Sequence, residues 1–256
     1  MSETAATIPH IAAFLNSTLR VKRIRDASVN GLQVRSRKRG EIRVVGFAVD
    51  ACRSTFEQAD HVKADLLVVH HGIKWRPQKD RELELQRTAF LKRRNIALYA
   101  AHLPLDLHQE YGNNMQLCRM LGVQGLKRFG RYHGIKIGYA GTLRRAASLS
   151  SVAERLSGGL GAACRVLPFG RDRVRSIGIV SGGGGDMLKD ARELRLDCFV
   201  IGEADLAVYN AAREYGMNLL VGGHYATETV GVRALMPLIK ETFGVRTVFI
   251  DDPKDL

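Results

Sequence analysis

The chain has 256 residues, of which 45% are apolar and 25% are charged. This composition is typical of a soluble globular protein with a sizeable core in one or two domains, and it excludes a disordered chain, a collagen and a disulfide-stapled mini-protein. No apolar run approaches the ~18 residues that a membrane span needs, and the start, MSETAATIPH, lacks a secretory pattern. The four cysteines are scattered. We therefore expect a cytoplasmic protein with reduced thiols and no membrane contact.

The net charge of +13 is concentrated in two basic segments, residues 20–43 and 127–145. Such a balance can indicate affinity for phosphates, nucleic acid or acidic partners. Few aromatic residues lie among these cations, and no recognisable nucleic-acid motif accompanies them. A solvated basic face is therefore the favoured interpretation, and nucleic-acid binding remains the second.

The first half of the chain predicts a helix followed by a β-α-β-α-β succession. Apolar residues recur at helical spacing in 8–20, and Asn30-Gly31-Leu32 indicates a turn. The succession then consists of strand 42–49, helix 54–63, strand 65–69, helix 81–94 and strand 96–101, with a further helix at 114–121. Strands that alternate with helices predict a parallel sheet with right-handed crossovers.

The second half predicts the same alternation, which indicates an α/β fold of two similar lobes with mainly parallel sheets. Its elements are strand 174–180, helix 186–194, strand 197–201, helix 204–215, strand 218–221, helix 229–243 and strand 246–250. Between the halves, 129–140 reads as one or two strands and 150–156 as a short helix. We place the lobes at residues 1–125 and 126–256, with the last helix and strand able to pack on the first lobe.

The two halves resemble a weak internal repeat. Asp65-Leu-Leu-Val-Val-His70-His71 aligns with Asp197-Cys-Phe-Val-Ile-Gly202-Glu203, and the strand that ends at His102 aligns with the one that ends at His224. Strand composition alone produces part of this likeness, so both a true duplication and chance similarity are consistent with it. The polar residues all follow predicted parallel strands, at the edge where α/β proteins bind ligands.

These strand ends carry a candidate metal site. His70 and His71 are adjacent, Asp106 follows the next strand, and His224 and Glu228 share one helix face by their i, i+4 spacing. Three imidazoles and two carboxylates suit Zn, Fe, Mn, Co or Ni, and five ligands suit two ions bridged by a carboxylate. For any one of these residues, a satisfied core histidine or a helix-capping carboxylate is the simpler interpretation.

Other candidates are weaker. His102 and Glu203 could move protons near the metals, although a supporting role is equally consistent. Ser181-Gly-Gly-Gly-Gly185 could bind an anion, but it lacks a dinucleotide or Walker pattern, so a tight turn is favoured. Trp75 could stack on a base, and a packing role is favoured. No G-x-S-x-G sequence or patterned Cys–His pair supports a nucleophilic triad.

A family resemblance rests on several of these motifs taken together. They are Asn30-Gly-Leu-Gln-Val34, Val-Val-His70-His71-Gly-Ile-Lys-Trp75, His102-Leu-Pro-Leu-Asp106, Gly112-Asn-Asn114, Ser181-Gly-Gly-Gly184, Gly202-Glu203 and Gly222-Gly-His224-Tyr-Ala-Thr-Glu228. In this order they closely resemble the NIF-three-like dinuclear-metal family, whose members are catalogued as GTP cyclohydrolase 1 type 2 homologues. The chain is similar to the short bacterial form.

The resemblance implies two divalent metal ions held between two α/β lobes at the carboxyl ends of the strands, in a toroidal homohexamer. His71 and Asp106 would hold one ion, His70 and His224 the other, and Glu228 would bridge them. The first hypothesis for function is a dinuclear-metal hydrolase that acts on a nucleotide or another phosphorylated small molecule, by opening the imidazole ring of GTP if the family name applies. The alternatives are a non-catalytic hexameric scaffold or adaptor that binds nucleic acid or protein, and a metal store.

Overall fold

The computed structural model describes residues 6–254, and contacts between residues divide it into two units. Unit 1 extends to Tyr111 and includes Val232–Asp252, while unit 2 consists of Gly112–Gly231 with Pro253 and Lys254. Among the residues described, no helix combines the length and apolar character needed to cross a bilayer.

The α-helices are α1 (Ile8–Thr18), α2 (Arg53–His61), α3 (Arg81–Arg93), α4 (Leu103–Asp106), α5 (Asn113–Leu121), α6 (Leu149–Leu160), α7 (Leu188–Glu193), α8 (Leu206–Tyr215) and α9 (His224–Phe243). The strands are β1 (Gly31–Val34), β2 (Val44–Asp50), β3 (Leu66–His71), β4 (Ala97–Ala100), β5 (Val123–Tyr132), β6 (Ile135–Ser148), β7 (Arg165–Leu167), β8 (Arg173–Val180), β9 (Cys198–Ile201), β10 (Asn218–Val221) and β11 (Arg246–Phe249). Short 3-10 turns cover Val21–Arg23 and Gly184–Met187. The predicted lobe boundary, residue 125, lies within β5 of unit 2, and β11 belongs to unit 1.

Unit 1 is a five-stranded sheet with helices on both faces, in the strand order β1-β4-β3-β2-β11. Strands β2, β3, β4 and β11 are parallel, and β1 is antiparallel to β4. Successive residues of β3 enter opposite cores: Val68 packs with α1 and the later part of α9, and Leu67 packs with α2 and α3. Burial on both faces explains the unbroken apolar run of this strand.

Unit 2 is a six-stranded sheet in the order β5-β6-β8-β9-β10-β7. Strands β8, β9 and β10 are parallel, while the pairs β5–β6, β6–β8 and β10–β7 are antiparallel. A two-residue turn joins β5 to β6, with φ of 46° at His133 and 84° at Gly134. Positive φ at both positions matches the right-handed twist of a tight hairpin.

The same β-α-β-α-β arrangement occurs in both units, and its register is equivalent. Val45 pairs with Leu66 across β2 and β3, as Ile177 pairs with Cys198 across β8 and β9. The aspartate before the second strand, Asp65 or Asp197, accepts two backbone N–H groups from the start of the first strand in each unit. The repeat predicted from sequence is therefore present as a repeated structural element.

The α/β fold class with two similar lobes is confirmed, with one sheet in each unit. Parallel pairing dominates unit 1, whereas unit 2 is mixed because its hairpin and its edge strand β7 run antiparallel. Strands β1 and β7 were not predicted, since four and three residues are too few to show a period. Residues 103–106 form helix α4, which tolerates Pro104 because the first helical turn needs no partner for that nitrogen.

Candidate functional site

The first group of candidate side chains stands at the carboxyl end of β3, where the strand breaks. His70 is fully buried, His71 is partly exposed, and their ring centroids are 4.5 Å apart. Gly72 follows, and a Cβ there would overlap the Gln33 amide and lie 2.7 Å from the Ala100 Cβ. The glycine thus permits the close packing that turns the chain and leaves both imidazoles side by side.

Both rings are oriented through Nδ1. His70 Nδ1 is 3.0 Å from the carbonyl oxygen of Ala101, and His71 Nδ1 is 2.8 Å from Asp50 Oδ1. A carbonyl or carboxylate oxygen only accepts hydrogen bonds, so each Nδ1 carries a proton, and a neutral ring held in this way presents the Nε2 lone pair. This is the arrangement in which proteins hold histidines that bind metals.

A third imidazole joins them from the end of β4. One ring nitrogen each of His70, His71 and His102 can be chosen so that all three atoms lie within 4.8 Å of one another. His102 Nδ1 faces the Asp26 carboxylate at 3.0 Å. Burial raises the pKa of Asp26, but its hydrogen bond to His102, the attraction of that ring and hydrogen bonds from Asn30 and Ser28 outweigh burial and lower the pKa to about 2.

Asp106 supplies a carboxylate to the same group. It is the last residue of α4, is 6% exposed, and places Oδ2 3.7 Å from His70 Nε2. Unit 1 therefore gathers three predicted metal ligands, His70, His71 and Asp106, and the candidate proton-transfer residue His102 into one cluster of nitrogen and oxygen donors. This donor set fits a borderline divalent cation such as zinc, iron or manganese.

Trp75 lies beside this cluster. Its ring stands edge-on to that of His102 at 5.1 Å between centroids, and its Nε1 donates to the carbonyl of Gly72. Lys79 Nζ lies 4.9 Å from the indole centroid. The loop after β3 thus combines a flat aromatic surface with a cation next to the imidazoles.

Unit 2 positions the other predicted group at the start of α9. His224 Nε2 is 3.2 Å from Glu228 Oε1, one helical turn later, and His224 Nδ1 is 3.1 Å from Glu203 Oε2. The hydrogen bond to Glu228 raises the pKa of His224 to about 9 against the opposing effect of burial, and Glu203 adds to the rise. Two carboxylates therefore favour a positive charge at this imidazole, and a divalent cation can replace the proton.

The glycine-rich turn after β8 packs directly on this pair. Gly182 has a φ of 62°, and a Cβ on it would overlap Glu228 Oε1 and lie 2.9 Å from His224 Nε2. Its N–H donates to Thr227 Oγ1 at 3.1 Å. The run of glycines thus provides close backbone approach to the His224–Glu228 pair.

The sequence patterns do not identify several residues that hold these two groups in place. Asp50 orients His71, Asp26 orients His102, and Thr227 holds the glycine turn. Asp50 ends β2 and could have been found by applying the strand-end rule to the first strand. Asp26 lies in an irregular segment between α1 and β1, where no periodic signal marks it.

Known proteins resemble this chain over nearly its whole length. The sequence model of the family described as Duf34/NIF3 (NGG1p interacting factor 3) matches residues 6–255. This chain belongs to the NIF3 family. A GTP cyclohydrolase 1 type 2 homolog from Archaeoglobus fulgidus is 40% identical over 97% of this chain and 99% of its own length. A homolog of the same name from Pyrococcus horikoshii is 42% identical over 96% of this chain and 98% of its own length.

Among solved structures, TTHA1606 from Thermus thermophilus is 37% identical to this chain, with a TM-score of 0.84. The likeness covers 97% of this chain and 99% of that one. NIF3 family membership confirms the resemblance drawn from the motifs, and these matches span nearly the whole chain.

Proposed function

We propose that this chain is a dinuclear-metal-dependent hydrolase that acts on a nucleotide or another phosphorylated small molecule. The main support is the cluster of His70, His71, His102 and Asp106. Each of its three imidazoles is held through Nδ1 by an oxygen, so that Nε2 offers a lone pair. The imidazoles of His70 and His71, oriented in this way, form a ligand set for divalent cations together with the buried carboxylate of Asp106, and His102 lies beside them.

The proposed ligands follow the family resemblance: His71 and Asp106 for one ion, His70 and His224 for the other, and Glu228 for both. Bound divalent ions would supply Lewis-acid polarisation of the substrate and lower the pKa of water. The carboxylates around His224 support this assignment, because they stabilise positive charge at its ring. The metal is one of Zn, Fe, Mn, Co or Ni.

Residues of the chain itself would bind substrate and move protons. His102 would accept or return a proton at Nε2, and Glu203 would orient His224 through Nδ1. The loop after β3 would hold the substrate, with the Trp75 ring against a planar base and Lys79 near its phosphates. GTP is the first substrate to test, because the relatives are named for it.

The decisive experiment measures metal content per chain in protein purified without an affinity tag or chelator. The same sample is then incubated with GTP and a panel of nucleotides, before and after chelation. We expect two ions per chain and turnover that chelation abolishes and added metal restores. Folded protein that holds no metal would contradict the ligand assignment.

Two ions per chain without turnover would instead favour the alternative, a metal-binding scaffold or adaptor for nucleic acid or protein. The observation that favours it is the exposed basic segment: Arg35, Arg37 and Arg39 are all exposed. Exchangeable metal without a saturable substrate would point to a metal store. The homohexamer implied by the resemblance is a further proposal, checked by sedimentation equilibrium of the intact chain.

A further inference from the structure

Asp26 is a buried carboxylate with an unusual number of donors. Its side chain is 2% exposed. Oδ1 accepts from the N–H of Ser28 at 3.1 Å and faces His102 Nδ1 at 3.0 Å. Oδ2 accepts from the Asn30 amide at 2.8 Å and from the N–H of Leu103 at 2.9 Å. A carboxylate that accepts this many hydrogen bonds stays ionised, which agrees with its lowered pKa.

These contacts fix one ring and one helical turn at the same time. The bond to Nδ1 orients the His102 imidazole, and the bond to Leu103 caps α4, whose last residue is Asp106. The Asn30 side chain completes the arrangement, because its Oδ1 accepts the N–H of His102 at 2.7 Å. The loop that contains Asp26 and Asn30 thus holds both the end of β4 and the start of α4.

We infer that Asp26 is a positioning residue that keeps a proton on Nδ1 of His102 and directs its Nε2 towards the imidazole cluster. The catalytic role of His102 Nε2 rests on the proposed function, whereas the location of the ring proton on Nδ1 does not. Without the carboxylate, the proton could reside on either nitrogen, and the ring would lose its fixed orientation.

The substitution Asp26→Asn makes a specific prediction about the proton. An amide has one accepting oxygen. When this oxygen faces Leu103 and Asn30, only the N–H of Ser28 opposes the NH₂ group, whereas the reverse orientation opposes the donors of both Leu103 and Asn30. The amide NH₂ then faces His102 and can donate only to an unprotonated Nδ1. The proton of His102 therefore moves to Nε2 in this variant.

The test uses histidine ring ¹⁵N NMR of the metal-free protein at a pH where the neutral ring predominates, with the His102 signals assigned through His102→Gln. We expect Nδ1–H in the wild type and Nε2–H in Asp26→Asn. Asp172→Asn, at an exposed aspartate of unit 2, is the matched control and should leave the spectrum unchanged. Wild-type protein with Nε2–H, or a folded Asp26→Asn that retains Nδ1–H, would overturn the inference.

The kinetic consequence is measured separately in the metal-loaded enzyme. If His102 is the general base, Asp26→Asn should lower kcat by about 10²- to 10⁴-fold with little change in KM, the range for loss of general acid–base catalysis. If Asp26→Asn shows the tautomer change but the metal-loaded wild type shows no turnover, the positioning role is supported and the hydrolase proposal is contradicted. If Asp26→Asn does not fold, the wild-type spectrum alone decides the tautomer.

Discussion

At the residue scale, Asp65 and Asp197 show what a single carboxylate contributes to each unit. Asp65 accepts the N–H groups of Arg43 and Val44 and pairs with Lys38. Burial raises the pKa of Asp65, but the hydrogen bond from Lys38 and the backbone bonds outweigh it and lower the pKa below its ordinary value. The pKa of Asp197 is lowered in the same way, by the backbone N–H groups of residues 175–176 and by Arg171.

We therefore predict that Asp65→Asn and Asp197→Asn each destabilise the protein by about 1.5–3 kcal/mol at pH 7, the usual worth of hydrogen bonds to a charged group. A lowered folded-state pKa stabilises the protein above the unfolded-state value of about 3.9. The difference from wild type should therefore shrink as the pH falls below that value. Urea midpoints at pH 7 and pH 3 measure it, and an equal difference at both would contradict the prediction.

The metal ligands make a second prediction at this scale. His70→Ala and Glu228→Gln should each remove one or both metal ions while the protein stays folded, because the cores of the two units consist of other residues. His61→Ala, at an exposed histidine at the end of α2, is the control and should keep full metal content. Elemental analysis together with circular dichroism checks both parts. Wild-type metal content in both variants would contradict the ligand assignment.

At the element scale, the glycine turn after β8 makes a third prediction. Gly182→Ala combines a φ of 62° with overlap between the new Cβ and Glu228, so it should displace that carboxylate and reduce metal binding. Gly158→Ala is the control, because Gly158 lies exposed in α6 with open space around it. That change should leave metal content intact and stabilise the protein by roughly 0.5–1 kcal/mol. Metal titration of both variants by calorimetry would show the contrast, and equal affinities would refute it.

The elements predicted from sequence are those with a long periodic or apolar signal. The apolar strands β2, β3, β8 and β9 and helices α1, α2 and α3 follow from their patterns. Helix α4 could not be predicted, because a four-residue helix depends on its cap, and that cap is the side chain of Asp26 from a distant loop. The same reason applies to β1, whose pairing with β4 is a tertiary contact.

At the scale of the whole molecule, the net charge of +13 predicts salt-dependent attraction to polyanions, whatever the catalytic function. Duplex DNA should bind weakly at low salt and dissociate as salt rises. The salt dependence of the affinity is expressed as the slope of log K against log salt concentration. This slope should become shallower by roughly one for each phosphate that the wild-type side chains neutralise when three exposed charges are reversed by Arg35→Glu, Arg37→Glu and Arg39→Glu. The corresponding lysine substitutions are the control, since they keep the charge. Fluorescence anisotropy across a salt series measures the slope, and an unchanged slope would locate the attraction elsewhere.

The sequence by itself determined the α/β class, the repeated β-α-β-α-β element and the residues His70, His71, Asp106, His224 and Glu228 as metal-ligand candidates, and its motifs indicated the family. These depend on local periodicity and on the rule that parallel strands end at one edge of a sheet. Only the tertiary structure revealed the carboxylates that orient the rings, Asp26 for His102 and Asp50 for His71. Such partners lie far apart in the chain and are joined by directional hydrogen bonds, which leave no periodic signal in the order of the residues.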